Sequence, residues 1–260
     1  MNCKVCNSIS DVFANGKILN KYFIIYYQCK HCGFTQTEEP YWLKDVYSQA
    51  INNSDIGMLS RNIANTIVSR AIISVFFNPE ARFVDYGGGY GIFVRLMRDY
   101  GFAFYRLDKY CQNLFTKGFD FEESAHDTLE LMTAFEVFEH FPNPSDNLDE
   151  LLKISSNILF TTELVPASNP KPEEWWYYGL DHGQHISFYT VKSLQYLANS
   201  KGLNLYTNSR NFHLFTKKQI SPFLFRLLCN NKLSTLCNLF NRRSSLLAVD
   251  YEAITGKRLI

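Results

Sequence analysis

The stretch Phe83-Val84-Asp85-Tyr86-Gly87-Gly88-Gly89-Tyr90-Gly91 decides the fold. A short apolar run ends in an acid and then in glycines, and the IFVRLMRDYG that follows has helical spacing with Gly101 as its stop. Glycines at that place permit a tight turn and let a ligand approach the backbone at a helix N-terminus. A dinucleotide fingerprint counted from Gly87 requires glycine at 92, where Ile92 stands. The form present is D-x-G-x-G-x-G.

Outward from this loop, strands and helices alternate. AFYRLDK reads as a second strand ending at Asp108, 17 residues after Gly91, and LELMTAF as a third that runs into EVFEH at 136–140. Asp146 to Ser156 reads as a helix and NILFTTEL as a strand, whereas 165–190 carries three prolines and reads as loop. TVKSLQYLANSKG is a helix with Thr190 as N-cap and Gly202 at its C-terminal stop, and LNLYTNSR and NFHLFTKK form a hairpin-like pair. The alternation predicts an α/β fold, Rossmann-like and doubly wound. Its sheet is expected to be mostly parallel and seven-stranded, with one antiparallel strand. The expected boundaries are a small N-terminal zinc ribbon at 1–40, a helical connector at 41–80, the α/β domain at 81–218 and an amphipathic helical segment at 219–260.

Composition narrows the function. The chain has 260 residues, 46% hydrophobic and 20% charged, which excludes a disordered chain. Lys+Arg 26 against Asp+Glu 25 leaves a net charge of +1, too balanced for nonspecific wrapping of nucleic acid. No apolar run approaches the roughly 20 residues that span a bilayer, and MNCKVCNSIS has no apolar h-region. The chain reads as soluble and cytoplasmic.

Four of the seven cysteines stand as two pairs, Cys3/Cys6 and Cys29/Cys32, with 22 residues between them. The two-residue gap points both sulfurs of a pair into one tetrahedral site, which suits zinc, and a closed four-cysteine set makes the metal structural. A rubredoxin-like iron site shares the ligand set; zinc is the expectation.

The D-x-G-x-G-x-G loop, with Asp108 in register and EVFEH after a later strand, resembles class I S-adenosylmethionine (SAM)-dependent methyltransferases. The resemblance implies SAM as cofactor. Asp85, Gly87, Gly88, Gly89 and Gly91 would surround its methionine end, Asp108 would accept the ribose hydroxyls, and Ala134 and Phe135 would line it. Residues 111–128 align to nothing clear in that family, so the resemblance assigns no adenine-contacting acid; Asp120 and Glu122 stand in that stretch. Glu139 and His140 would open onto the active cleft. The stretch Gln184-His185-Ile186-Ser187-Phe188-Tyr189 is similar to the E-H-x-S-Y-F-S stretch of zinc-containing deoxysugar C-methyltransferases, with Gln184 in place of the acid. That similarity implies a small-molecule or sugar acceptor and makes His185 the candidate base, a role that a neutral histidine of pKa about 6.5 suits. The plain alternative for His185 is a structural ring bonded to a loop carbonyl. His182 and His140 read as positioning groups; His31, His126 and His213 read as structural.

Trp175-Trp176-Tyr177-Tyr178 reads either as a stacking platform or as a lid. Residues 219–260 carry six Lys/Arg and two acids, with apolar spacing at Leu224, Leu227, Leu228, Leu233, Leu236, Cys237 and Phe240. That pattern fits helices covering one edge or a dimer contact, and also peripheral contact with a membrane that carries a lipid-linked glycan. Two other functions fit the motifs: an RNA or protein methyltransferase gripping its substrate with the ribbon, and a catalytically silent zinc-ribbon binding protein. The balanced charge, and AFEVFEH where an Asn-Pro-Pro-Tyr-type motif would stand, disfavour nucleic acid.

Overall fold

In the computed structural model, which describes residues 1–46, 55–122 and 129–259, the chain divides into two compact units. One comprises Met1–Asn52 with Phe135–Gln219, and the other Asn53–Ala134 with Ile220–Ile260.

The second unit holds the glycine loop. Strand β4 (Arg82–Tyr86) has a buried centre of Phe83, Val84 and Asp85, as expected of a strand covered on both faces. It lies parallel to β5 (Ala103–Leu107) and to β6 (Leu129–Phe135), with Asp85 opposite Arg106 on one side and Thr133 on the other. This register brings the carboxyl ends of the strands to one edge, where ligands of open α/β sheets bind. Helix α3 (Ile92–Asp99) starts at Gly91 and buries Phe93, Val94 and Met97. Phe83 and Phe104 stack beneath it with centroids 4.9 Å apart.

Helix α2 (Met58–Phe76) and the C-terminal helices α6 (Pro222–Leu228), α7 (Asn231–Phe240) and α8 (Leu247–Thr255) complete this unit. Helices α6 and α7 pack against α2, but not with the face that the apolar spacing suggests. α6 buries Phe225 and Leu228, and α7 buries Ser234 and Asn238, whose Nδ2 donates to the Ile67 carbonyl at 2.9 Å. Leu233, Leu236 and Phe240 are exposed. Helix α8 is fixed by a buried ion pair: Arg98 donates Nε to Asp250 at 2.9 Å and Nη2 at 2.5 Å, and Arg95 adds a contact at 2.9 Å. Asp250→Ala leaves two guanidinium groups facing a buried void and is expected to lower stability by about 3 kcal/mol. Chemical denaturation checks this, and an unchanged midpoint would show that the pair does not hold α8.

The first unit begins with the hairpin β1 (Ser10–Ile18) and β2 (Tyr22–Cys29), followed by β3 (Thr35–Thr37). Its fourth strand comes from far along the chain: β8 (Ser187–Phe188) pairs with β3, Thr35 opposite Phe188. The stretch read as a self-contained ribbon at 1–40 is therefore packed with 135–219, and the expected linear boundaries do not follow the compact units. Its apolar cluster joins Ile18, Ile24, Tyr26 and Trp42 to Tyr177, Tyr178, Ile186 and Phe188. The aromatic run at 175–178 is mostly core, neither platform nor lid. Tyr177 and Tyr178 are fully buried, Trp175 packs against the cluster, and Trp176 is exposed.

Strands β7 (Ile158–Thr161), β9 (Asn204–Thr207) and β10 (Phe212–Thr216) also belong here, with β10 antiparallel to both neighbours. The strand order is β5-β4-β6 in the second unit and β7-β10-β9 in the first, six strands among the described residues where seven were expected. Helix α4 (Pro144–Ile154) precedes β7. Helix α5 (Val191–Ser200) is capped as expected, Thr190 Oγ1 accepting from the Ser193 amide at 3.1 Å. Among the described residues no helix is long and apolar enough to cross a membrane.

Candidate functional site

The glycine loop is tied to the strand beside it. Gly87 donates its amide to the Leu107 carbonyl at 2.8 Å, and Gly89 donates to Asp108 Oδ2 at 2.9 Å. The other oxygen of Asp108 accepts from the amides of Tyr110 and Cys111 at 2.8 and 2.7 Å. Gly89 has φ +53 and nothing within 4 Å of where a Cβ would stand, so its backbone faces open space. Gly91, at φ +88, has the opposite reason to be glycine, because a Cβ would strike the Thr116 hydroxyl. A Cβ at Gly88 would come 3.0 Å from Asp85 Oδ2.

Asp85 is buried and accepts the Thr133 hydroxyl at 2.6 Å. Burial pushes its carboxyl up to about 7; the Thr133 bond and the Arg106 charge oppose the shift, and the Asp108 charge adds to it. Arg106, also buried, is the brace of this region. Its Nε donates to the Gly89 carbonyl at 2.6 Å, Nη1 to Asp120 at 2.6 Å, and Nη2 to the Cys111 carbonyl. Asp120 also accepts from Asn113 at 2.9 Å. Ala134 is fully buried at the end of β6, and Phe135 meets Phe212 edge-on at 6.3 Å.

The first unit holds a second cluster. A 3₁₀ turn, Phe138–His140, follows β6 and is strapped to the 184–189 segment. The Ile186 amide donates to the Glu139 carbonyl at 2.9 Å, Ser187 to Phe141 at 2.7 Å, and the Tyr189 hydroxyl to Phe138 at 2.9 Å. His140 Nδ1 lies 3.0 Å from the Gln184 carbonyl, and His185 Nδ1 lies 2.6 Å from that of Tyr177. A carbonyl only accepts, so each Nδ1 carries the proton and the lone pair of the neutral ring sits on Nε2. His182 is the reverse: its Nδ1 accepts from the Gln184 amide at 3.1 Å. The His140 and His185 ring centroids are 5.1 Å apart, and one ligand atom from each of Glu139, His140 and His185 falls within 4.8 Å of the others.

Burial dominates the electrostatics of this cluster. Glu139 is fully buried, and desolvation with the neighbouring Glu136 charge pushes its carboxyl well above the usual range; the Tyr177 and Thr162 hydroxyls, 3.0 Å apart, offset this only in part. Desolvation takes His140 down to about 4 against the bond to Gln184. Glu136 sits at φ +54 and accepts the Thr161 hydroxyl at 2.6 Å.

The four sulfurs of Cys3, Cys6, Cys29 and Cys32 also lie within 4.8 Å of one another. Cys3 and Cys32 are 3.6 Å apart and Cys6 and Cys29 3.5 Å, close to the roughly 3.8 Å edge of a tetrahedron with Zn–S of about 2.3 Å. The Val5 and Cys32 amides point at the Cys3 and Cys29 sulfurs at 3.4 and 3.5 Å. The hydrogen bond with Cys32 holds the Cys3 thiol down at about 5, although burial opposes it.

The family model described as "Methyltransferase domain" matches residues 61–208. The chain belongs to the methyltransferase domain family. No curated protein matches it. Among solved structures, the plantazolicin methyltransferase BpumL with SAH is 13% identical, TM-score 0.46, over 66% of this chain and 94% of that one. CalO1, a methyltransferase in calicheamicin biosynthesis, is 14% identical, TM-score 0.44, over 68% of this chain and 60% of CalO1. A putative methyltransferase in complex with the Haloferax volcanii Trm112 activator is 13% identical, TM-score 0.49, over 67% of this chain and 98% of that one.

In this member of the methyltransferase domain family the residues singled out from sequence fall into three groups. Asp85, Gly87, Gly88, Gly89, Gly91 and Asp108 lie together at the carboxyl edge of β4 and β5. Glu139, His140 and His185 converge elsewhere, and the four cysteines form the third group. Sequence reading missed Arg106 and Glu136, and it gave Thr133 and Tyr177 no contact with the acids they face. Arg106 and Thr133 stand opposite Asp85 in the strand register, which only the pairing reveals. Glu122 is exposed and His126 lies outside the described residues. His213 is a buried structural ring between Thr162 and Thr207, and His31 bridges Ser8 and Tyr196.

Proposed function

We propose that this methyltransferase binds SAM on the glycine loop and methylates a small-molecule or sugar/glycan acceptor. The observation that carries the cofactor half is Asp108, its carboxylate 2.9 Å from the Gly89 amide beside open space over that glycine. When bound, SAM supplies an electrophilic methyl group on a sulfonium. The Gly87 to Gly91 turn would let its carboxylate end approach the backbone at the start of α3, and Asp108 would offer oxygens to the ribose hydroxyls. Asp85, bonded to Thr133 of β6, stands close beneath Gly88.

On the acceptor side, His185 is the candidate base, its Nε2 lone pair fixed by the Nδ1 bond to Tyr177. His140 and Glu139 would position the acceptor beside it. A buried cluster of this kind suits a small polar group better than an extended polyanion, in line with the net charge of +1. Cys3, Cys6, Cys29 and Cys32 would hold one structural zinc. Calorimetric titration of the zinc-loaded protein with S-adenosylhomocysteine (SAH) tests the reading, with micromolar binding expected. No heat from folded, zinc-loaded protein would favour the silent binding module.

A further inference from the structure

A single catalytic base needs one ring, yet three side chains converge at 136–140 and 184–186. We infer that Glu139, His140 and His185 bind one divalent transition-metal ion, separate from the four-cysteine site, through the Glu139 carboxylate and the two Nε2 atoms. Glu139 is the first ground. It is fully buried, and the Tyr177 and Thr162 hydroxyls beside it offset its desolvation only in part. A carboxylate kept in the interior on two neutral hydroxyls is costly unless a cation stands beside it, and its charged neighbour, Glu136, has the same sign.

The second ground is the pair of imidazoles. Each holds its Nδ1 proton on a backbone carbonyl, at 3.0 Å for His140 and 2.6 Å for His185. This outer-sphere bond fixes ring and tautomer in metal-bound histidine and aims Nε2 at the ion. The third ground is the strapping of the two segments, which sets the donors by backbone bonds rather than by their own contacts. Ligand atoms within 4.8 Å of one another need only small rotations to reach the roughly 3–3.5 Å separation of two donors on one ion.

Two imidazoles and one carboxylate select zinc, iron, cobalt or manganese over magnesium and calcium. Three protein ligands leave positions open for an oxygen donor. Resting on the small-molecule reading above, that donor is a hydroxyl of the acceptor, which the ion would hold and polarise; His185 then serves as ligand rather than free base.

The test uses the full chain with zinc already in the four-cysteine site, titrated with Mn2+ and read by the electron paramagnetic resonance of free Mn2+. One further equivalent is expected to bind. Glu139→Gln and His185→Ala should each weaken it at least 10-fold while zinc content, circular dichroism and SAH affinity stay as in the unaltered protein. If Glu139→Gln does not fold, His185→Asn takes its place. Failure of the unaltered protein to take up Mn2+, or a second equivalent of zinc or Co2+, overturns the site. So does uptake that neither substitution weakens. SAH titration of the same samples separates the two readings: SAH binding without metal uptake overturns the cation site alone, and metal uptake without SAH binding overturns the cofactor assignment alone.

Discussion

Asp108→Ala is expected to weaken SAH binding by roughly 10²–10⁴-fold without unfolding the protein. A charged acceptor is worth about 1.5–3 kcal/mol per hydrogen bond, and this carboxylate would accept two from the ribose. A further loss comes from the loop itself, because Asp108 holds the amides of Gly89, Tyr110 and Cys111. Asp108→Asn keeps the shape and part of the acceptor capacity and should fall between the two. Titration calorimetry with SAH measures all three. Equal affinities would move the ribose contact to another residue, with Asp120 the next to substitute.

The second large effect is expected on removing the zinc that the four cysteines would hold. Structural zinc contributes about 10–16 kcal/mol in small modules that fold around it, and here the cysteine turns are continuous with the β1-β2-β3-β8 sheet. Cys29 ends β2, and the Thr190 hydroxyl donates to the Cys32 carbonyl at 2.6 Å, so the loops at the metal also cap the segment that carries His185. Removing zinc with a chelator, or Cys3→Ser with Cys32→Ser, is expected to lower the melting temperature by more than 10 °C; about 1 kcal/mol moves it by 2–4 °C in a chain of this size. The near-ultraviolet signal of Tyr26, Tyr177 and Tyr178 should fall with it. An unchanged melting curve at full zinc removal would show that the metal does not hold this unit.

Local features were readable from the sequence because their causes are local. A strand that ends in an acid and glycines, a Thr190 cap, and two Cys-x-x-Cys turns each follow from a few neighbouring residues, and the structure has them where the spacing puts them. The braces were not readable. Arg106 looks like an ordinary strand-end charge in AFYRLDK, and only its register opposite Asp85 and its reach to Gly89, Cys111 and Asp120 make it a buried hub. The WWYY run looked like a surface because it lies among prolines. It is core because strands β1 and β2, about 150 residues earlier in the sequence, offer it Ile18, Ile24 and Tyr26. Apolar spacing misjudged α7 for a related reason: Asn238 is buried by its bond to the Ile67 carbonyl, a partner that periodicity cannot name.

The α/β class, the glycine loop with its acids and the four-sulfur set are each written in contiguous or regularly spaced residues. Tertiary structure alone decided that the N-terminal sheet takes a strand from Ser187–Phe188 and that Glu139, His140 and His185 meet. Those pairings join residues some 45 to 150 positions apart, and their energy comes from burial and backbone hydrogen bonds that exist only once the distant segments have packed.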